Sequence, residues 1–268
     1  MSDLWVVLPA FNEADNLRVL IPRLLADDAA LEGYVTALVV DDGSTDDTQA
    51  VLADLMANDE RVRTHRIPRN RGKSSALREG FATALAGGAK TVVMMDADGQ
   101  DDPAEIPRLL AVLAQGSDLV TGARLERRDR FVKRNTSRLY NAATGLLTGT
   151  PGQDLNSGLK AMHAPVAEEL CTMLHGEMHR YITVVANWLG YQVAEVEVTH
   201  HERLHGRSKY GVNRFWRGFL DLLTIRFLMS YEQRPSHPVR GRRHPESRDR
   251  LGDARLPAGG EAAGAEGG

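Results

Sequence analysis

Residues 92–102, VVMMDADGQDD, set a strand-like apolar run directly before four aspartates. A short continuous run of this kind suits a strand buried on both faces, as in a parallel sheet. Similar runs stand on either side: LWVVLP (4–9), VTALVVDDG (35–43), RVRTHRI (61–67) and SDLVTGAR (117–124). Helix-length segments such as EADNLRVLIPRLLADD (13–28) and GKSSALREGFATALAGG (72–88) separate them. This order predicts an α/β fold, a mostly parallel central sheet with helices on both faces. Sheets of this type bind ligands beyond the carboxyl ends of their strands. VVDDGSTDDT (39–48) and DADGQDD (96–102) both fall there.

After residue 125 the pattern changes. A basic segment carries Arg124, Arg127, Arg128, Arg130, Lys133, Arg134 and Arg138. A helix-like TSRLYNAATGLLTG (136–149) follows, then a Gly-rich turn with DLNSGLKAMH (154–163), a helix through HRYITVVANWLG (179–190) and a strand-like YQVAEVEVTHHE (191–202). From 212, VNRFWRGFLDLLTIRFLMSY spaces its polar and apolar residues as an amphipathic helix. Residues 235–268 are rich in Pro, Gly, Ala and charge, which predicts a disordered tail. The expected organisation is one α/β domain over 1–211, an amphipathic helix over 212–234 and the tail.

The 268 residues are 42% hydrophobic with a formal charge of -3, so there is no general basic field for nucleic acid. The single Cys171 excludes an intrachain disulfide framework. The N-terminus reads as a core strand rather than a secretory signal, and the expectation is a cytoplasmic protein. FLDLLTIRFLMSY (219–231) is interrupted by Asp221 and Arg226, so no membrane-crossing segment is expected. The nine histidines contain no HExxH pair, no GxSxG marks a nucleophile, and Ile67 stands where a Walker loop needs its first glycine.

Asp96, Asp98 and Gln100 alternate just past the strand and can aim three oxygen donors at a hard divalent cation. The competing reading is a solvated acidic turn, which suffices for Asp101 and Asp102 ahead of Pro103. Ser44 and Asp47 have capping-box spacing, which leaves Asp41 or Asp42 to accept hydrogen bonds from a ribose or base. Gly72 can let a phosphate approach the next helix, while Lys73 reads equally well as a surface charge. Arg203, Arg207 and Lys209 lie in a Gly-containing loop that is either solvated or an anion clamp.

Taken together, VVLPAFNEADNL, VVDDGSTDDT, NRGKSSALREGF, VVMMDADGQDDP, TGAR, DLNSGLKA and VTHHERLHGRSKYG resemble family 2 glycosyltransferases of the GT-A fold. The dolichol-phosphate mannose synthase and polyprenyl-phosphate glycosyltransferase branch is the nearest in pattern, over about residues 4 to 234. The resemblance implies that Pro9, Ala10, Phe11, Glu13, Val40 and Asp42 hold the nucleotide. It implies that Asp96, Asp98 and Gln100 hold Mg or Mn, with Ala97 among the donor contacts. Arg124, Arg203 and Lys209 would hold the donor diphosphate, and Lys133, Arg134 and Ser137 the acceptor phosphate. Asp96, Asp98, Arg124 and Arg203 would then carry catalysis.

The implied reaction is inverting transfer of a hexose from a GDP-mannose or UDP-glucose type donor to a polyprenyl or dolichyl phosphate. The implied location is the cytoplasmic face of a membrane, either on the lipid surface or on a membrane partner protein. Haloacid dehalogenase phosphatases also use an Asp-x-Asp pair, but after their first strand rather than the fourth. Two further alternatives are a transferase acting on a saccharide hydroxyl, with Asp154 as base, and a non-catalytic nucleotide-binding subunit.

Overall fold

The computed structural model describes residues 3–26, 35–123, 154, 156–199 and 201. Six expectations from the sequence fall outside them: the basic segment, the helix over 136–149, the amphipathic helix, the tail, the acceptor residues Lys133, Arg134 and Ser137, and Arg124, Arg203 and Lys209.

The first half alternates as its sequence predicts. Strand β1 (Leu4–Ala10) leads to α1 (Ala14–Ala26), β2 (Val35–Asp41) to α2 (Thr48–Asn58), β3 (Val62–Arg66) to α3 (Lys73–Ala86) and β4 (Thr91–Met94) to α4 (Ile106–Leu113). Then come β5 (Leu119–Ala123), β6 (Lys160–His163), α5 (Ala164–Met173), α6 (Ile182–Trp188) and β7 (Val193–Glu197). The seven strands form one sheet in the order β3-β2-β1-β4-β6-β5-β7.

Side chains alternate across a strand, so a strand buried on both faces divides its apolar residues between two cores. Leu4, Val6 and Leu8 of β1 enter one core with Leu17, Leu20, Ile21 and Leu24 of α1 and Ile106 and Leu109 of α4. Trp5 and Val7 enter the other with Ala76, Leu77 and Phe81 of α3 and Val166 and Leu170 of α5. Each such side chain contributes about 1.5–3 kcal/mol by leaving water. This two-faced burial explains why β1, β2, β4 and β5 read as largely apolar runs rather than as alternating ones.

The sheet is mixed rather than wholly parallel. β6 lies antiparallel between β4 and β5, with Lys160 opposite both Met94 and Thr121. Its sequence, KAMH, does not read as a strand because Lys160 occupies a fully buried position. The Lys160 ammonium is satisfied inside the protein, donating to Thr121 Oγ1 at 2.9 Å and to the Ser157 carbonyl at 2.8 Å. Because β6 runs backwards, the turn that precedes it arrives at the edge where β1, β2, β4, β5 and β7 end.

Two loops at that edge are fixed to each other through Gly43, which has φ +73°. A Cβ there would lie 2.6 Å from the Arg69 carbonyl carbon and 2.7 Å from Asn70 N, both backbone atoms that cannot swing aside. Gly43→Ala is expected to lower unfolding free energy by about 3 kcal/mol, from left-handed strain plus the clash. A urea titration checks this.

Candidate active site

The β1 and β2 loops are joined by a polar lattice. Asn12, at φ 58°, donates its amide to Ser44 Oγ at 2.9 Å, and its side-chain oxygen accepts from Thr45 N at 2.8 Å. Glu13 N donates to Thr48 Oγ1 at 3.2 Å, and the Glu13 carboxylate accepts from Asn16 Nδ2 at 2.6 Å. The expected Ser44–Asp47 capping box does not form: Ser44 Oγ is taken by Asn12, and Asp47 makes no side-chain cap. Asp46 does the structural work instead, accepting from Thr48 N at 3.1 Å and Thr48 Oγ1 at 2.6 Å. Burial raises the Asp46 pKa, but the hydrogen bonds from Thr48 and the Ala14 amide outweigh it and leave the carboxyl below its ordinary range.

Asp41 and Asp42 take different parts. Asp42 is buried and receives Arg71 N at 2.8 Å and Gly72 N at 2.7 Å, one on each oxygen, so it clamps the loop leading into α3. Asp41 is 1% exposed; its Oδ1 accepts from Ser44 N at 2.8 Å, while its buried Oδ2 has no hydrogen-bond donor, with Arg66 Nε at 3.8 Å. Pro9 and Ala10 are the last residues of β1, and Ala10 pairs with Asp41 across the sheet. Phe11 and Glu13 are half-buried beside them. The Val40 side chain is wholly buried and packs toward α3 at Gly80, so only its backbone belongs to the edge.

Asp96, Ala97, Asp98 and Gln100 follow β4 on the same edge. Asp98 is buried, and its Oδ1 accepts from Gln100 N at 3.1 Å, which closes the turn. The Asp96 carboxylate is partly open and receives the Lys73 ammonium on Oδ1. Its other side lies against Gly158 of the β6 turn, where a Cβ would sit 2.7 Å from Asp96 Oδ2 and 2.9 Å from Asp101 Oδ2. Asp101 is therefore not part of a solvated helix start: it is buried and shares the Gly158 contact with Asp96. No sequence signal distinguished it from Asp102, which does cap the following turn, accepting from Ala104 N at 3.1 Å.

The end of β7 is docked onto this acidic turn. His201 N donates to the Gln100 carbonyl at 2.9 Å, and His201 Nε2 meets Asp102 Oδ2 at 2.7 Å. Burial raises the Asp102 pKa, but His201, the Ala104 amide and Arg23 bring it below the ordinary range. Thr199 N donates to Glu105 Oε1 at 3.0 Å, and Arg108 Nη1 donates to Oε2 at 2.9 Å.

For Glu105 too, burial works upward and the Thr199 and Arg108 bonds prevail, holding the carboxyl below its ordinary 4.5. A depressed folded pKa contributes stability above the unfolded value and loses it as pH falls through the folded value. Glu105→Gln is accordingly expected to cost about 1–2 kcal/mol near neutrality, from the lost charged hydrogen bonds. The gap from wild type should narrow once pH drops below 4.5, as urea titrations at both acidities would register.

The donor chemistry fits a hard divalent cation. Two carboxylates end β4, and a cation, the Lys73 ammonium, already sits on one of them. Among the described residues no group of three or more His, Cys, Asp or Glu side chains is placed to hold a metal by itself. Gln100 and ligand phosphates would have to complete the shell, which is how magnesium-type sites are commonly built. Asp154 is buried at the same edge, with its amide held by Glu195 Oε1 at 2.8 Å.

The profile of the family described as Glycosyl transferase family 2 matches residues 5–171. The chain is 34% identical over 243 residues to a dodecaprenyl-phosphate galacturonate synthase of Rhizobium johnstonii, covering 88% of this chain and 70% of the relative. It is 35% identical over 221 residues to an undecaprenyl-phosphate 4-deoxy-4-formamido-L-arabinose transferase of Edwardsiella ictaluri, covering 82% of this chain and 66% of the relative. A mannosyltransferase from Pyrobaculum calidifontis, solved with GDP-Man and Mn2+, superposes with a TM-score of 0.60 at 18% identity over 87% of this chain and 66% of its own. Glucosyl-3-phosphoglycerate synthase from Mycobacterium tuberculosis, solved with Mn2+, UDP and phosphoglyceric acid, gives 0.59 at 22% over 83% and 78%. These solved structures share the fold. The profile match and the identity over most of the chain place this protein in glycosyl transferase family 2.

Proposed function

We propose that this glycosyltransferase moves a hexose from a nucleotide sugar of the GDP-mannose or UDP-glucose type to a polyprenyl or dolichyl phosphate, with inversion and with a divalent cation, Mg or Mn. The observation that carries the reading is the convergence on one sheet edge of the β1 and β2 loops, the Asp96–Gln100 turn and the docked end of β7. The matched relatives named for polyprenyl-phosphate chemistry supply the acceptor class.

The nucleotide end is assigned to Pro9, Ala10, Phe11, Glu13 and the backbone at Val40. Asp42 is assigned to the ribose or base: each of its oxygens accepts one backbone amide and keeps a further lone pair, whereas Asp41 is enclosed and its undonated Oδ2 is buried. Asp96, Asp98 and Gln100 would hold the cation, which when bound offsets the charge of a departing nucleoside diphosphate. In sequence, Arg124 follows the last residue of β5 directly, and Arg203 follows the docked His201 by two residues. They and Lys209 are assigned to the diphosphate, and Lys133, Arg134 and Ser137 to the acceptor phosphate.

A phosphate monoester is largely ionised near neutrality, its second pKa lying near 6. It can therefore attack the anomeric carbon without a protein base, and the protein's part is placement and charge compensation. Attack opposite the leaving group inverts the anomeric centre.

No helix among the described residues is long and apolar enough to cross a membrane. Contact with a lipid acceptor is assigned to the amphipathic segment 212–234 resting in the interface, at the cytoplasmic face, alone or with a membrane partner.

A panel of labelled nucleotide sugars offered with Mn2+ or Mg2+ and undecaprenyl or dolichyl phosphate tests the reading, with lipid-extractable label as the expected product. Label that enters a saccharide instead, and is lost in Asp154→Asn, would replace the lipid acceptor by a sugar hydroxyl.

A further inference from the structure

Lys73 opens α3, yet its ammonium lies on Asp96 Oδ1, a residue 23 positions away at the end of a different strand. The two side chains are 29% and 32% exposed, so the pair stands in a half-sheltered corner rather than in open solvent. Asp96 has its Oδ2 side against Gly158, where no Cβ fits, and Asp101 Oδ2 borders the same glycine. The oxygen that Lys73 holds is thus the one turned away from the β6 turn. Asp96 and Asp101 thus bring two carboxylates to the same glycine, and Lys73 lies on the first of them.

We propose that Lys73 is a built-in counter-ion for Asp96 that a divalent cation must displace. The inference rests on the metal-assisted transfer proposed above and adds a competition that the reading does not contain. Carboxylates held near one another repel unless a positive charge stands among them. The lysine meets that need from within the chain, and a divalent cation meets it from outside, but both use the same oxygen. A ligand that can enter only the fraction of molecules with the oxygen free shows an apparent affinity reduced by that fraction.

Once displaced from Asp96, the ammonium stays beside the entry of α3, at the edge where the donor's diphosphate is proposed to lie. Cation and nucleoside diphosphate therefore help each other to bind: the first frees the lysine and the second receives it. Such coupling is reciprocal.

Electron paramagnetic resonance of Mn2+ titrated into the full chain tests this without any turnover. Lys73→Met keeps the length of the side chain and removes the charge. It is expected to bind Mn2+ roughly tenfold more tightly than wild type in the absence of nucleotide, from the released competition and the removed repulsion. Lys73→Arg, which keeps the charge, is expected to stay near wild type. Adding UDP or GDP should tighten Mn2+ binding more in wild type than in Lys73→Met.

Equal or weaker Mn2+ binding by Lys73→Met overturns the competition while leaving the proposed transfer intact. Asp96→Asn serves as the control: undiminished Mn2+ binding in it would move the cation elsewhere and end the proposal. If neither wild type nor any variant takes up Mn2+ even with UDP or GDP present, the cation-dependent transfer falls and this inference falls with it.

Discussion

Asp98→Asn is expected to lower sugar transfer by about a thousandfold, or about 4 kcal/mol in activation free energy. The substitution isolates charge from architecture. Asp98 Oδ1 accepts from Gln100 N at 3.1 Å, and an asparagine oxygen can accept that bond equally well, so the turn after β4 keeps its shape. What disappears is one of the two negative charges assigned to the cation. Since the protein places no group of three carboxylate, imidazole or thiolate side chains there among the described residues, each remaining donor counts heavily. The check is initial-rate transfer from the best donor, with thermal unfolding measured alongside. An unchanged melting temperature with lost transfer is the expected pair of results, and substantial residual transfer would take Asp98 out of the cation's shell.

The second large effect is expected at Gly158, a residue with no functional group. Its Cβ would meet Asp96 Oδ2 at 2.7 Å and Asp101 Oδ2 at 2.9 Å, so Gly158→Ala must push on both carboxylates. Displacing a reacting constellation by about 1 Å can cost about a hundredfold in rate, and a loss of that order is expected in kcat. The cost to stability should be smaller, about 1–2 kcal/mol, because Asp96 is partly open and can give way. Mn2+ affinity should fall together with kcat, since the displaced group is an assigned cation ligand, whereas affinity for the lipid phosphate should hold. Wild-type kcat in Gly158→Ala would show that the β6 turn does not set the position of Asp96.

The strand-end motifs were legible because strand and ligand signals coincide in them. VVLPA, VVDDG and VVMMDAD each join an apolar run, which local hydrophobicity reveals, to a polar turn at a place the α/β architecture reserves for ligands. The division of labour within each turn was not legible. Asp41 and Asp42 are chemically identical neighbours, and only the approach of the Arg71–Gly72 amides separates a loop clamp from a carboxylate with a spare oxygen. Asp101 and Asp102 divide in the same way, one against Gly158 and the other capping a turn toward Arg23 and His201. Strand β6 is not legible because a lysine in its pattern argues for solvent, and the Thr121 hydroxyl that helps to satisfy the buried ammonium, beside the nearby Ser157 carbonyl, comes from a strand 39 residues away.

By itself the sequence determined the alternation of strands and helices, the two-faced burial of the central strands and the identity of the acidic motifs, since all three depend on the order of residues within a few turns of chain. The tertiary structure alone decided which aspartate clamps the loop before α3, that Lys73 meets Asp96 and that Gly158 abuts the same carboxylate. Those are contacts between segments distant in sequence, and hydrogen bonds and steric exclusion act on distance in space, which residue order does not record.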